Sequence, residues 1–210
     1  MVPLAGNDTK DHHLMNHQQI KGVEPSLRDI VEAIASGERR SPHCRIIAID
    51  GPAGAGKSTL ASRISQHFPD QPITVIHMDD LYAGWDDALT VTLTRTLENK
   101  IARPAFEGKS FEFRKYDWIA GRFGEFTRKS VPALLILEGV GSGQKVIRKY
   151  LDQLIWIDIE PEIGLTRVLQ RDGDYLENEM RIWQIRESEH FRADNTRDCA
   201  TMRVDGKRFI

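Results

Sequence analysis

The sequence predicts an α/β fold: a parallel sheet with helices on both faces. Three observations carry that prediction. Short apolar, β-branched runs at 46–49, 72–78, 133–139 and 154–159 have the continuous hydrophobicity of strands buried on both sides. Segments of helical periodicity separate them, the pattern of right-handed βαβ crossovers. A glycine-rich turn, GPAGAGKS at 51–58, joins the first strand to the helix after it.

The elements follow in order. Pro25 and Ser26 open a helix in which Leu27, Ile30, Val31 and Ile34 share one face, and Gly37 ends it. The run Ile46, Ile47, Ala48, Ile49 is the first strand, and Leu60, Ala61 and Ile64 resume at helical spacing beyond the turn. PITVIHM (72–78) reads as a second strand, and DDALTVTLTRTLENKIAR (86–103) as a helix that Pro104 stops. SFEFRKYDW (110–118) alternates Phe111, Phe113 and Lys115 with Glu112, Arg114 and Tyr116, which suits an exposed strand or hairpin better than a core strand. ALLILEG (133–139) is another buried strand, with SGQKVIRKYL (142–151) expected as a helix. LIWIDI (154–159) is the next strand, and PEIGLTRVLQRD (161–172) begins with proline in a helix's first turn. A long helix is expected from Leu176 to about Asp194, and MRVDG (202–206) as a last strand. Residues 1–24 are polar and aperiodic and are expected to be flexible, leaving 25–210 as a single domain.

Composition narrows the function classes. Lys and Arg number 29 against 31 Asp and Glu, so no global charge draws the chain to nucleic acid or to an anionic membrane, and any anion site must be local. No apolar run approaches the roughly 20 residues of a membrane span, and the N-terminus lacks a basic region followed by an apolar core, so a cytoplasmic protein is expected. The two cysteines, Cys44 and Cys199, have no metal-type spacing and read as reduced thiols. His12, His13 and His17 lack carboxylate or cysteine partners at ligand spacing and are not read as a metal site.

The turn at 51–58 matches G-x-x-x-x-G-K-[ST] between a strand and a helix, the context that this phosphate-binding loop requires. Glycines let successive N–H groups converge, and the helix that follows adds the positive end of its dipole. The expected guest is ATP with Mg²⁺. Gly51, Ala53, Gly54, Ala55, Gly56, Lys57, Ser58 and Thr59 form the nucleotide-binding set, with Lys57 reaching the β- and γ-phosphates, Ser58 ligating the metal and Thr59 capping or packing. The expected fold is thus a P-loop NTPase-type sheet. A guanine-reading Asn-Lys-x-Asp is absent, which argues against the common GTPases.

DGPAGAGKST, then Asp79-Asp80-Leu81-Tyr82, Tyr116-Asp117-Trp118, Leu137-Glu138-Gly139, and finally Arg167 with Arg171-Asp172 together resemble the uridine kinase and phosphoribulokinase group of P-loop kinases, which includes bacterial pantothenate kinase. The resemblance runs from about residue 45 to about residue 172. It implies a kinase for a small-molecule acceptor, with Asp79 as general base toward the acceptor hydroxyl and Glu138 near the metal. Asp80 is the competing base, because adjacent side chains at a strand end point in different directions. The resemblance also implies a small lid around 167–180, in which Arg167 and Arg171, four apart on one helical face, clamp phosphates. The alternative for those arginines is a solvated face paired with Glu162 or Asp172. An acceptor-site insertion is expected around 82–125, with Tyr82, Tyr116, Asp117 and Arg122 about the substrate, although the same aromatic residues also suit a hairpin anchored to the core.

Two segments depart from the group. GWDDAL (84–89) stands where uridine kinases commonly carry H-P-x-[AS]-[FL]-D, and RDGDYLENEMR (171–181) replaces the lid's R-D-x-x-x-R-G. The first departure leaves pantothenate, sugar and nucleoside monophosphate acceptors open beside a nucleoside such as uridine or cytidine. The alternative from another class is an ATP-binding regulatory or assembly protein with little turnover.

Overall fold

The computed structural model describes residues 24–208. The histidines at 12, 13 and 17 and nearly all of the expected flexible segment lie outside them. Glu24, the last residue of that segment, is anchored: its carboxylate accepts from Asp205 N and pairs with Arg208 Nη1 at 3.1 Å.

Among the described residues seven strands are present: β1 (Arg45–Asp50), β2 (Ile73–His77), β3 (Phe111–Asp117), β4 (Arg122–Lys129), β5 (Leu134–Glu138), β6 (Gln153–Asp158) and β7 (Met202–Asp205). Five form a parallel sheet in the order β2-β5-β1-β6-β7, while β3 and β4 make a separate antiparallel pair. The helices are α1 (Leu27–Ser36), α2 (Lys57–Gln66), α3 (Val91–Thr96), α4 (Arg103–Phe106), α5 (Pro161–Asp172), α6 (Glu177–Asp194) and α7 (Thr196–Cys199).

Alternate side chains of each buried strand feed two cores. Ile47, Ile49, Ile136, Ile155 and Ile157 meet Ile30, Ile34, Leu60 and Ile64 of α1 and α2 on one face. Ile46, Ala48, Leu135 and Leu137 meet Leu93, Leu97, Ile101, Phe111 and Phe113 on the other. Full burial of such a side chain contributes about 1.5–3 kcal/mol, so the strands are fixed in register from both sides. α1 starts where the sequence places it, because Ser26 and Asp29 form a reciprocal capping box.

Two expected helices differ. Residues 86–90 are turns rather than helix; α3 begins at Val91 under the Thr90 cap, and the chain does not stop at Pro104. It continues through a π-helical segment, Leu97–Ala102, into α4. Proline has no N–H and its ring clashes with the carbonyl four residues back; the wider π register, in which Arg103 N–H bonds Glu98 O, makes room for it. The expected helix at 142–151 is reduced to a 3₁₀ turn at Arg148–Tyr150. Its early amides are engaged elsewhere: Gly143 donates to the Asp50 carboxylate, as does Gly141 just before the segment, and Lys145 donates to Asp194.

The segment 110–118 is the first strand of a hairpin, as its alternation suggests, and Phe111 and Phe113 are the residues that root it in the core. No helix among the described residues is long and apolar enough to cross a membrane.

Candidate active site

The parallel register brings the carboxyl ends of three strands to one level. Ile49 of β1 and His77 of β2 both align with Glu138 of β5. The loop after β1, the turn after β2 and the end of β5 therefore open on the same edge, the crevice where such sheets bind ligands.

The first component is the loop. Gly51, Gly54 and Gly56 all have positive φ. A Cβ on Gly54 would lie 2.2 Å from Gly164 O, so the loop backbone packs directly on α5. Gly56 caps α2 in the left-handed region and no side chain caps that helix, which leaves its first-turn amides for an anion. Ala55 N turns inward to Pro52 O at 3.2 Å. Lys57 is buried, and its Nζ donates to Gly51 O and Pro52 O at 2.8 and 2.7 Å. Thr59 is exposed on the first turn of α2.

The second component is a set of oxygen ligands. Ser58 Oγ donates to Glu138 Oε1 at 2.9 Å, and His77 Nδ1 bonds the same oxygen. That bond to Glu138 raises the His77 pKa, against the opposing effect of burial. A hydroxyl beside a carboxylate is the hard-oxygen pair that suits Mg²⁺, which takes one or two protein oxygens and completes its shell with phosphates and water. This pair needs no metal cage, and none of three or more His, Cys, Asp or Glu exists among the described residues. Gly139, with φ near 128°, lets the end of β5 press on Met78, whose Cβ would sit 2.6 Å from an added Cβ. Glu138 is thereby set beside the turn that carries Asp79.

The two aspartates after β2 separate cleanly. Asp80 pairs with Lys115 at 2.7 Å. Asp79 is exposed, and its Oδ1 accepts from Tyr82 OH at 2.8 Å. Burial, followed by the Asp79 charge, pushes the Tyr82 phenol up, so it stays a donor. Trp118 Nε1 donates to Asp79 O at 3.1 Å and ties the hairpin to this turn. Trp118 also packs against Tyr82, Trp85 and Tyr116 at 5.3–5.8 Å between ring centroids. Tyr116 thus lies in the aromatic wall. Asp117 closes the hairpin turn, accepting from Ile119 N and Ala120 N at 2.9 Å each, and Arg122 opposite it is exposed.

The two arginines of α5 diverge. Arg167 Nη1 reaches Gly206 O at 3.2 Å and, at a long 3.4 Å, Gly54 O, so it braces the back of the loop. Arg171 forks onto Asp172 at 2.7 and 2.6 Å. Asp172 is the main cause of its raised pKa, against burial, with smaller contributions from the charges of Asp79 and Glu138. Past Gly173, a 3₁₀ turn at Asp174–Leu176 leads into α6, with Tyr175 largely exposed.

Two buried acids went unread in the sequence. Asp50 is fully buried and accepts from Gly51 N, Gly141 N and Gly143 N at 2.8–3.0 Å, pinning the start of the loop to the segment after β5. Burial raises its pKa despite those bonds. Its signal was a lone carboxylate closing an all-apolar strand. Glu187 of α6 accepts from Ala53 N at 3.0 Å, and nothing near it in the chain announces that contact.

A five-stranded parallel sheet whose first strand feeds a Walker-type loop, with aspartates following the second strand and a Ser–Glu pair at its edge, defines an α/β architecture of the P-loop class. Within that architecture the chain resembles uridine kinases, as the comparisons with known proteins show. No family model matches the chain. Uridine kinase-like protein 4 of Arabidopsis thaliana is 26% identical over 175 residues, covering 76% of this chain and 36% of that protein. The uridine kinase of Streptococcus agalactiae serotype V is 25% identical over 142 residues, covering 60% of this chain and 67% of the relative. The chain thus spans little more than a third of the plant relative's length. Among solved structures, a possible uridine kinase from Bacillus stearothermophilus superposes with a TM-score of 0.62 at 16% identity, over 85% of this chain and 97% of that one. D-Glycerate 3-kinase from Cryptococcus neoformans superposes at 0.53 with 12% identity, over 87% and 93%. These structures share the fold.

Proposed function

We propose that the protein transfers the γ-phosphoryl group of ATP, with Mg²⁺, to a hydroxyl of a small metabolite, a nucleoside such as uridine or cytidine being the first acceptor to test. The observation that carries this reading is the convergence of Asp79, the Ser58–Glu138 pair and the glycine loop on one edge of the sheet. Phosphoryl transfer asks little covalent chemistry of a protein and much positioning and charge compensation.

Asp79 orients the acceptor hydroxyl and takes its proton, while the Tyr82 phenol holds the carboxylate's orientation. Asp80, neutralised by Lys115, is the poorer base. Lys57 leaves the loop carbonyls for phosphate oxygens, and Arg171 compensates charge from the lid side. Ser58 and Glu138 would hold Mg²⁺, which when bound offsets negative charge on the phosphates. Tyr82, Trp85, Tyr116 and Trp118 supply an aromatic wall on which a planar base can stack. The uridine kinase names of the relatives support the nucleoside as first candidate. Asp117 bears on the acceptor through the shape of the hairpin turn, and Arg122 lies at its rim.

A second reading has its own support: with Lys57 folded onto loop carbonyls, the protein would bind ATP as a signal and turn it over little. A coupled ADP-release assay separates the two. MgATP is offered with nucleosides, nucleoside monophosphates, pantothenate and sugars, each beside an acceptor-free control. Acceptor-dependent release that disappears in Asp79→Asn, while nucleotide binding survives, is the expected result. ATP binding with every acceptor at the control rate favours the regulatory reading.

A further inference from the structure

Helix α6 carries a carboxylate into the phosphate loop. Glu187 is 4% exposed, and its Oε2 accepts the N–H of Ala53, the third residue of GPAGAGKS, across 134 positions of sequence. Lys57 lies close enough to attract it electrostatically, and Asp50 close enough to repel it. Burial is the largest influence and pushes the Glu187 carboxyl up to about 7, against the Lys57 charge and the Ala53 N–H. After burial and Asp79, the Glu187 charge helps raise the Tyr82 pKa, and the Trp183 side chain acts to lower that of Glu187. A carboxylate that is buried, accepts a loop amide and lies beside the loop lysine meets the same groups a phosphate oxygen would meet.

We infer that Glu187 is an internal anion of the phosphate loop, which an incoming phosphate must displace. The inference rests on the nucleotide-binding reading of that loop and adds a control on it. The Ala53 N–H cannot serve two acceptors fully, and two anions beside one lysine in a poorly hydrated site repel each other. The free loop is therefore occupied by its own acid, with Lys57 turned away onto Gly51 O and Pro52 O. Polyphosphate affinity is set by the cost of moving one side chain of α6.

Titration calorimetry at pH 8, where the Glu187 carboxyl is ionised, of wild type and Glu187→Gln with MgATP, and separately with inorganic tripolyphosphate, tests this. The amide keeps the shape and removes the charge. The expected result is tighter binding of both ligands by the variant, by at least about tenfold, the scale of one removed like charge in a partly buried site. Equal or weaker binding by Glu187→Gln overturns the inference and leaves the nucleotide-binding reading intact. No binding of either ligand by either protein overturns both. A variant that loses its circular-dichroism melting transition also overturns the inference, because the carboxylate would then be a strut of the loop.

Discussion

Replacing Glu187 by Gln stabilises the folded protein above neutral pH, and the size of the effect follows from where the carboxyl sits. In the unfolded chain a glutamate titrates near its ordinary 4.5; in the fold, burial lifts Glu187 to about 7. The folded state therefore holds its proton more tightly than the unfolded state. The carboxyl contributes most favourably below pH 4.5, its contribution falls as pH rises through 7, and it is constant above that. The gap between the two values, at about 1.4 kcal/mol per pH unit, makes the ionised group cost about 3 kcal/mol at pH 8. Gln at this position resembles the neutral acid at every pH. The variant should thus match wild type near pH 4.5 and exceed it by about 3 kcal/mol at pH 8, or about 6–12 °C in Tm for a chain of this size. Scanning calorimetry of both proteins between pH 4.5 and 8 measures the difference. Two Tm-versus-pH curves that run parallel over that range would refute the reasoning, since the Glu187 carboxyl would then titrate alike in the folded and unfolded chains.

Other outcomes follow from single contacts. Gly54→Ala puts a Cβ 2.2 Å from the backbone oxygen of Gly164 at a φ of +75°, and no flexible side chain can yield; it should cost more than about 2 kcal/mol in urea unfolding and weaken nucleotide binding. In the native protein a maleimide should label Cys199, which is exposed, and leave Cys44, whose buried thiol is pushed up to about 12; mass spectrometry should count one adduct when native and two in denaturant. Trp118→Phe removes the indole bond to Asp79 O while keeping aromatic bulk, so steady-state kinetics with the identified acceptor should show a raised acceptor KM and an unchanged ATP KM. A rise in both would indicate that the hairpin supports the whole site rather than its acceptor half.

The structure also shows which features a reader of the sequence could reach. The buried strands, the Ser26 start of α1, the Pro161 start of α5 and the glycine loop were all legible, because each depends on torsional preference, on hydrophobic period or on bonds spanning three or four residues. The helix expected to stop at Pro104 failed for a local reason with a tertiary remedy: a π segment absorbs the proline while Leu97 and Ile101 stay buried against the sheet. The helix expected at 142–151 gave way where carboxylates distant in the chain take its early amides, Asp50 that of Gly143 and Asp194 that of Lys145.

The sequence by itself determined that a strand, a phosphate loop and a helix occur in succession, and that Asp79, Asp80 and Glu138 close the neighbouring strands. Only the tertiary structure gave the two aspartates different partners, Lys115 for Asp80 and Tyr82 for Asp79. It alone turned Arg167 onto the carbonyls of Gly54 and Gly206 and Arg171 onto Asp172, and it alone placed Glu187 against Ala53. The physical reason is one of range. Backbone torsions and side-chain period act over a few residues and are written in them, whereas the partner of a charged side chain is whichever group packing brings within about 3 Å, at any distance along the chain.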